Sequence, residues 1–340
     1  MATLRSDIII PEVFTPYVIE QTTQRDAFLA SGVVQPMAEL NAAEGGGDFV
    51  NVPFYKANLA GDFEVLTDSS SLTPGKITAD KQVAAVLHRG RAFESRDLAA
   101  LAAGSDPMAA IGSKIADYIA NQRQKDLLSC LGGVFGAVGD TAGGAFLGLA
   151  VDGASGDTPT VLGPRQIVTG KALLGDQGEK LAAICVHPNV YYDLMERRAI
   201  DFIYDDNGAA DTAASQGSTA NAFGQVQVPT FMGLRVIVSA DVQTANSGSS
   251  TEYASYLFTQ GAIASGEQLG LQTETDRDIL AKSDAMSIDL HYVYHPVGSK
   301  FSSAVSNPTR AQLETVGNWT KVYETNNIGI VRITSTSNLD

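Results

Sequence analysis

An α+β fold built around one long helix is what this sequence predicts, and three observations carry that expectation. Between Asp48 and Leu131 a polar, Ser/Thr-rich excursion (Gly61 to Asp80, including Thr67-Asp68-Ser69-Ser70-Ser71) leaves and rejoins β-like sequence, then runs into one long helical pattern. After a glycine-rich stretch the chain alternates helix and strand signals. The last third returns to β-pattern, with Ile288, Leu290, Tyr292 and Tyr294 alternating along one strand and Ile328 to Ile333 forming another. A projecting arm rooted beside a long strut suits a part that must grip its neighbours.

The elements follow in order. Residues 1–47 read as an N-terminal arm, with Thr15 as cap and Pro16 in the first turn of a helix that stops near Gly32. Gly45-Gly46-Gly47 separates it from a strand over Phe49 to Tyr55. The excursion turns at Thr73-Pro74-Gly75, and a return strand covers Gln82 to Phe93. The long helix spans Asp106 to Leu131, opened by Asp106 and Pro107 and stopped by Gly132-Gly133. Ile111, Ile115, Tyr118 and Ile119, then Leu127, Leu128 and Leu131, form its apolar stripe on either side of a polar run from Asn121 to Asp126. Such a helix is about 37 Å long. Residues 137–154, rich in glycine and small side chains, make a linker. Beyond it come a helix from Pro164 to Leu174, a buried strand from Leu181 to Val186, and a helix opened by Pro188 on which Tyr191, Leu194, Met195 and Arg198 share a face. Asp205 to Asn221 reads as an exposed loop, and strands follow at Leu234 to Val238 and Tyr256 to Phe258.

The balance of 23 basic against 38 acidic side chains leaves a net charge of −15, which argues against sequence-specific DNA binding and against an anionic membrane surface. Nothing approaches a membrane-spanning apolar run, and Ile8-Ile9-Ile10 ends at a proline too soon for a signal peptide, so assembly in a cytoplasm is expected. Cys130 and Cys185 both lie in apolar settings and are expected as free, buried thiols.

The sequence carries no recognisable catalytic or metal motif. His291 and His295 form an HxxxH, but on a strand residues four apart lie about 13 Å from each other, too far to share an ion. His88 reads as a strand histidine, and His187, directly before Pro188, as a helix cap. Asp201, Asp205, Asp206 and Asp211 lack the spacing and distal glutamate of a calcium loop. Gly175 to Lys180 lacks phosphate-loop spacing, and no Gly-x-Ser-x-Gly elbow occurs. No cofactor, metal site or enzyme activity is expected. On an assembling molecule, Arg89, Arg91, Arg197 and Arg198 become candidates to pair with acidic groups of a neighbour, as do Asp62, Glu64, Asp68 and Lys76 on and beside the excursion.

Several segments together resemble the major capsid proteins of tailed bacteriophages, which share the Hong Kong 97-type fold. They are His187-Pro188-Asn189-Val190-Tyr191-Tyr192-Asp193-Leu194-Met195, Gly233 to Ser239, Tyr256 to Gly270, Glu274 to Asp278 and the closing Tyr294-His295-Pro296-Val297-Gly298. The order of arm, hairpin excursion and long helix matches as well. The resemblance implies an extended loop over residues 56–82, a spine helix over 106–131, an axial domain over 155–283, and a peripheral domain over 48–136 and 284–340. It further implies pentamers and hexamers of the chain itself in an icosahedral virion shell around double-stranded DNA held without sequence specificity. Partners would be a portal, a separate scaffolding protein because the arm is short, and in some relatives a decoration protein. Lys56, Lys76 and Lys81 are available for crosslinking, though nothing marks any of them as reactive. An encapsulin-like compartment shell, an enzyme with an inserted hairpin and a secreted surface protein are the rival readings.

Overall fold

The computed structural model describes residues 28, 31–41, 47–56, 63, 76–97, 107–138, 144–152, 160–197, 199–204, 227–247 and 250–339. In chain order these form β1 (Val34–Pro36), β2 (Phe49–Tyr55), β3 (Ala79–Ala85), β4 (Leu87–Arg96), α1 (Pro107–Phe135), β5 (Ala150–Asp152), α2 (Pro164–Leu173), β6 (Leu181–Val186), α3 (Pro188–Glu196), β7 (Asp201–Tyr204), β8 (Gln227–Phe231), β9 (Leu234–Val238), β10 (Thr244–Ser247), β11 (Ser250–Thr259), β12 (Ile263–Asp278), β13 (Ser283–Pro296), β14 (Ser299–Phe301), α4 (Arg310–Glu314), β15 (Trp319–Lys321) and β16 (Ile330–Thr336). The N-terminal arm helix, most of the excursion, Asp106 and the loop from Asp205 to Asn221 lie outside the described residues.

Two sheets dominate. An eight-stranded sheet runs β5-β16-β11-β6-β9-β8-β7, with β10 added on β11. Its central strands are buried on both faces, which is why they read as near-continuous apolar runs. On one face Gly170 of α2 comes so close that an added Cβ would lie 2.9 Å from Leu257 Cδ1 and 3.4 Å from Val331 Cγ1. On the other face the end of α1 packs, with the Phe135 and Tyr256 rings 5.7 Å apart. The second sheet is thinner, in the order β1-β12-β13-β4, and its long β12/β13 hairpin extends well past β1. By sheet membership β12 belongs with β13 and the C-terminal β16 with β11, so the chain changes sheets at positions that a division at 283/284 does not mark.

Three local expectations are corrected. The return strand is two strands, because at Val86 the chain leaves its pairing with β2 and takes up β13; Val86 N–H is held by Asp48 O at 2.9 Å across the switch. The long helix does not stop at Gly132-Gly133 but runs to Phe135 and ends at Gly136, whose φ of 86° suits only glycine. Gly133 is required for close approach instead: a Cβ there would sit 1.9 Å from the Leu313 carbonyl oxygen and 2.4 Å from Trp319 Nε1. On α3 the buried side chains are Val190, Asp193 and Leu194, while Met195 is exposed. Asp193 faces inward because its carboxylate accepts hydrogen bonds from Ser337 Oγ at 2.8 Å and Asn338 N at 2.9 Å, tying α3 to the chain end.

Candidate assembly interface and the network that anchors it

The hairpin of β2 and β3 pairs only with itself, in register from Phe49 opposite Ala85 to Tyr55 opposite Ala79. Its base is anchored by apolar packing: Val50, Ala84 and Val86 are buried with Leu40, Ala264 and Val293, and the Phe54 and Tyr323 rings meet edge to face at 4.8 Å. Its outer end is different. Tyr55 and Ile77 are largely exposed, and Phe63 is fully exposed. Exposed apolar side chains on and just beyond a narrow projection suit a surface that a partner covers.

The spine α1 is fixed to both sheets by its polar middle, the run from Asn121 to Asp126. Asp126 is completely buried; its carboxylate accepts from Arg89 Nε at 3.3 Å, from Arg310 Nε and from the Tyr292 hydroxyl. Burial and this neighbouring carboxylate push the Tyr292 phenol well up, so it remains a donor. Arg310 also reaches Gln122, and Arg123 pairs with Glu267 at 3.0 Å and donates to the Tyr294 hydroxyl. Toward the other sheet, Gln124 donates to Ser239 Oγ at 2.8 Å and Lys125 pairs with Asp241 at 3.5 Å. At the C-terminus of α1 the buried Arg332 of β16 donates to the Gly136 and Ala137 carbonyl oxygens at 2.8 and 3.1 Å, placing a cation where the helix presents its negative end. Neither Asp126 nor Arg332 was singled out from sequence, although a lone arginine in the apolar run Ile330-Val331-Arg332-Ile333 is a signal in plain view.

Of the contact candidates among the described residues, Arg89 and Arg91 line one cleft, of which Lys76 and Arg197 form no part. Arg89 is committed within its own subunit, donating to Asp126, to Asn307 Oδ1 at 2.7 Å and to Pro308 O at 2.7 Å. Arg91 is exposed on β4, Arg197 is exposed at the C-cap of α3, and Lys76 is exposed at the return of the excursion. Asp62, Glu64, Asp68 and Arg198 lie outside the described residues.

The other polar candidates have structural places. His187 Nδ1 accepts from Asn189 N at 3.2 Å and caps α3. His291 and His295 both lie on β13; His291 instead touches His88 across the β4/β13 pair, ring centroids 4.1 Å apart. His295 is buried against Gln82 Oε1 at 3.2 Å. Cys130 and Cys185 are free and buried, and burial pushes both thiols up, away from reactivity. Among the described residues no three His, Cys, Asp or Glu side chains converge on a common point for a metal, and no helix is long and apolar enough to cross a membrane.

A spine helix crossing beneath a long-hairpin sheet, a projecting two-stranded loop and a separate eight-stranded sheet define the Hong Kong 97-type capsid fold of tailed phages. Solved structures agree. The capsid asymmetric unit of Cyanophage Pam1 matches with a TM-score of 0.56 over 90% of this chain and 89% of that one, at 14% identity. The capsid of Ralstonia phage GP4 matches with a TM-score of 0.54 over 90% and 87%, at 9% identity. Within that class the chain belongs to the Gp13-like family, described as major capsid protein 13-like, which matches residues 11–328. It is 36% identical over 336 residues, 96% of each chain, to the major capsid protein of Bacillus phage SPP1. The chain is therefore a major capsid protein of a tailed phage, a structural component of the virion that assembles with copies of itself. The compartment-shell alternative is disfavoured by these phage relatives.

Proposed function

We propose that the subunit forms pentamers and hexamers that close into an icosahedral head around double-stranded DNA, assembling in the host cytoplasm with a separate scaffolding protein, a portal and, where present, a decoration protein. The observation that carries this reading is the β2/β3 hairpin, anchored by a buried base and exposing Tyr55, Phe63 and Ile77 beyond it. The eight-stranded sheet serves as the axial domain around which capsomers close. The thin sheet with α1 is the peripheral domain. Contacts between copies are individually weak and repeated around every subunit, so the closed shell is held by avidity. Asp62, Glu64 and Asp68 on the extended loop, with Lys76, Arg91, Arg197 and Arg198, supply charged pairs between copies; Arg89 contributes through the network that shapes its own subunit. The DNA is retained by closure of the shell, since a net charge of −15 gives the subunit no general attraction for it.

Replacing Asp62 to Ile77 with a short Gly-Ser turn tests the reading. A surface loop is shortened at modest entropic cost, so the subunit should remain folded by circular dichroism. Co-expressed with its neighbouring head genes, the variant should give no closed shells by sedimentation and electron microscopy. A folded variant that still makes normal shells removes the loop from the mechanism.

A further inference from the structure

Beside Asp126 the thin sheet and the spine enclose an open cleft of about 360 Å³, a size that accepts a large side chain or small ligand. Its character is unusual for so acidic a chain. Four arginines (Arg89, Arg91, Arg123 and Arg310) line it against a single carboxylate, the wholly buried Asp126. Even counting Glu267, which pairs with Arg123, positive charge is in excess. Among the described residues Arg91 makes no hydrogen bond or ion pair, and it is exposed at the cleft. The remaining wall is apolar, formed by Tyr118, Ile119, Ile288 and Leu290. An occupant suited to this cleft carries an aromatic or aliphatic group for the wall and negative charge beside it for Arg91.

The chain holds such a sequence at Asp62-Phe63-Glu64, an aromatic residue between two acids. Phe63 is fully exposed, so it does not occupy the cleft of its own subunit. We infer that Phe63 of one copy seats in the arginine-lined cleft of a second copy, with its acidic neighbours paired to Arg91. The proposal rests on the capsid reading above and adds to it the receptor surface and the anchor residue. An aromatic side chain in a cleft rimmed by guanidinium groups gains from apolar burial and from the ring face presented to a cation together. Arg89 and Arg310 take part indirectly, because their bonds to Asp126 hold the floor of the cleft in shape. An acidic partner of another kind, such as a scaffolding segment, would use the same chemistry, and the test separates it from a second copy.

Three sets of variants, each co-expressed with the neighbouring head genes, decide the matter. Phe63 and Arg91 are both exposed, so Phe63→Ala and Arg91→Glu should fold normally by circular dichroism, and each should lower particle yield about tenfold or more, the scale of losing one anchor contact. Glu64→Arg should lower yield too, and combining it with Arg91→Glu should recover particles that neither change alone allows. Glu64→Cys with Arg91→Cys in one chain should give a ladder of disulfide-linked capsid chains from oxidised particles, while either cysteine alone gives none. Wild-type yield from Phe63→Ala, or intact particles of the double-cysteine chain without a ladder, overturns the docking and leaves the capsid reading standing. A ladder joining the capsid chain to a different protein assigns the cleft to that partner and also overturns it. A wild type that makes no particles with its head-gene partners overturns both.

Discussion

The two sheets flank the same helix but are stabilised in opposite ways. The eight-stranded sheet is covered on both faces, and the C-terminal half of α1 adds Leu127, Leu131, Val134 and Phe135 to a core continuous with Ile184, Leu257 and Val331. The thin sheet joins that core only at one end, through Val34, Leu87, Ile263, Tyr292 and Tyr294, and toward its other end has only a small satellite core, Ile115, Ala116 and Ile119 of the spine against Met286 and Ile288. What it lacks in apolar burial it replaces with directed polar contacts: Asp126 holds Arg89 of β4, Tyr292 of β13 and Arg310 of α4 to the spine at once. Apolar cores are forgiving of direction, whereas a buried carboxylate with three donors specifies one arrangement. Bulk stability therefore belongs to the eight-stranded sheet, and the geometric definition of the thin sheet against the spine to the network around Asp126.

Removing that carboxylate is the harshest way to break the comparison. Asp126→Ala strands the Arg89 and Arg310 guanidinium groups and deprives the Tyr292 hydroxyl of its acceptor, so we expect a loss of about 3–5 kcal/mol. Both arginines are partly exposed and can re-solvate, which places the loss toward the lower end. Denaturant unfolding of the unassembled subunit measures it. A loss below ~1 kcal/mol would show that the thin sheet does not depend on this node.

Acid probes the join between the thin sheet and the loop hairpin. His295 of β13 lies buried against Gln82 of β3, and burial pushes its pKa down to about 4 from the usual 6.5. The unfolded chain then takes up a proton at higher pH than the folded one. Stability from this group is complete above pH 6.5, falls as pH drops toward 4, and changes no further below. The total is roughly 3 kcal/mol on the rule of 1.36 kcal/mol per unit. Because many carboxylates also titrate at the acid end, the measurement is the difference between wild type and His295→Gln from pH 7 to 5. Parallel curves would remove His295 as the source.

Much of this architecture was legible because its causes are local. Phe49–Tyr55, Leu181–Val186 and Leu234–Val238 were placed from their own side chains, and Pro188 with His187 marked the start of α3. What was missed depends on distant partners. Gly132-Gly133 reads as a stop until Leu313 and Trp319 arrive against it, after which small residues are a packing requirement inside a continuing helix. The polar run ending at Asp126 reads only as polar until Arg89, Tyr292 and Arg310 converge on it. The arginine-lined cleft was not legible, since β4, β13 and α1 meet there only in the fold.

The smallest expected effect sharpens the comparison at the far end of the thin sheet. The β12/β13 hairpin ends at Ile279 and Leu280, which are 80% and 97% exposed. The turn is set by other groups: Asp278 Oδ1 accepts from Leu280 N and Ala281 N, and Arg277 forks between Asp97 at 2.7 Å and Asp284 at 2.8 Å. Because the two apolar side chains touch solvent and the turn is held without them, Ile279→Ser with Leu280→Ser should change unfolding free energy by no more than ~0.5 kcal/mol. The same substitution pair at Ile184 and Leu257 in the eight-stranded sheet would remove fully buried side chains and should abolish folding. Denaturant titration of the tip variant provides the check. A loss above ~1 kcal/mol would mean that the tip contributes to the subunit's own core, and the division between a sheet stabilised by its core and one defined by polar contacts would fail at the place where it should be most complete.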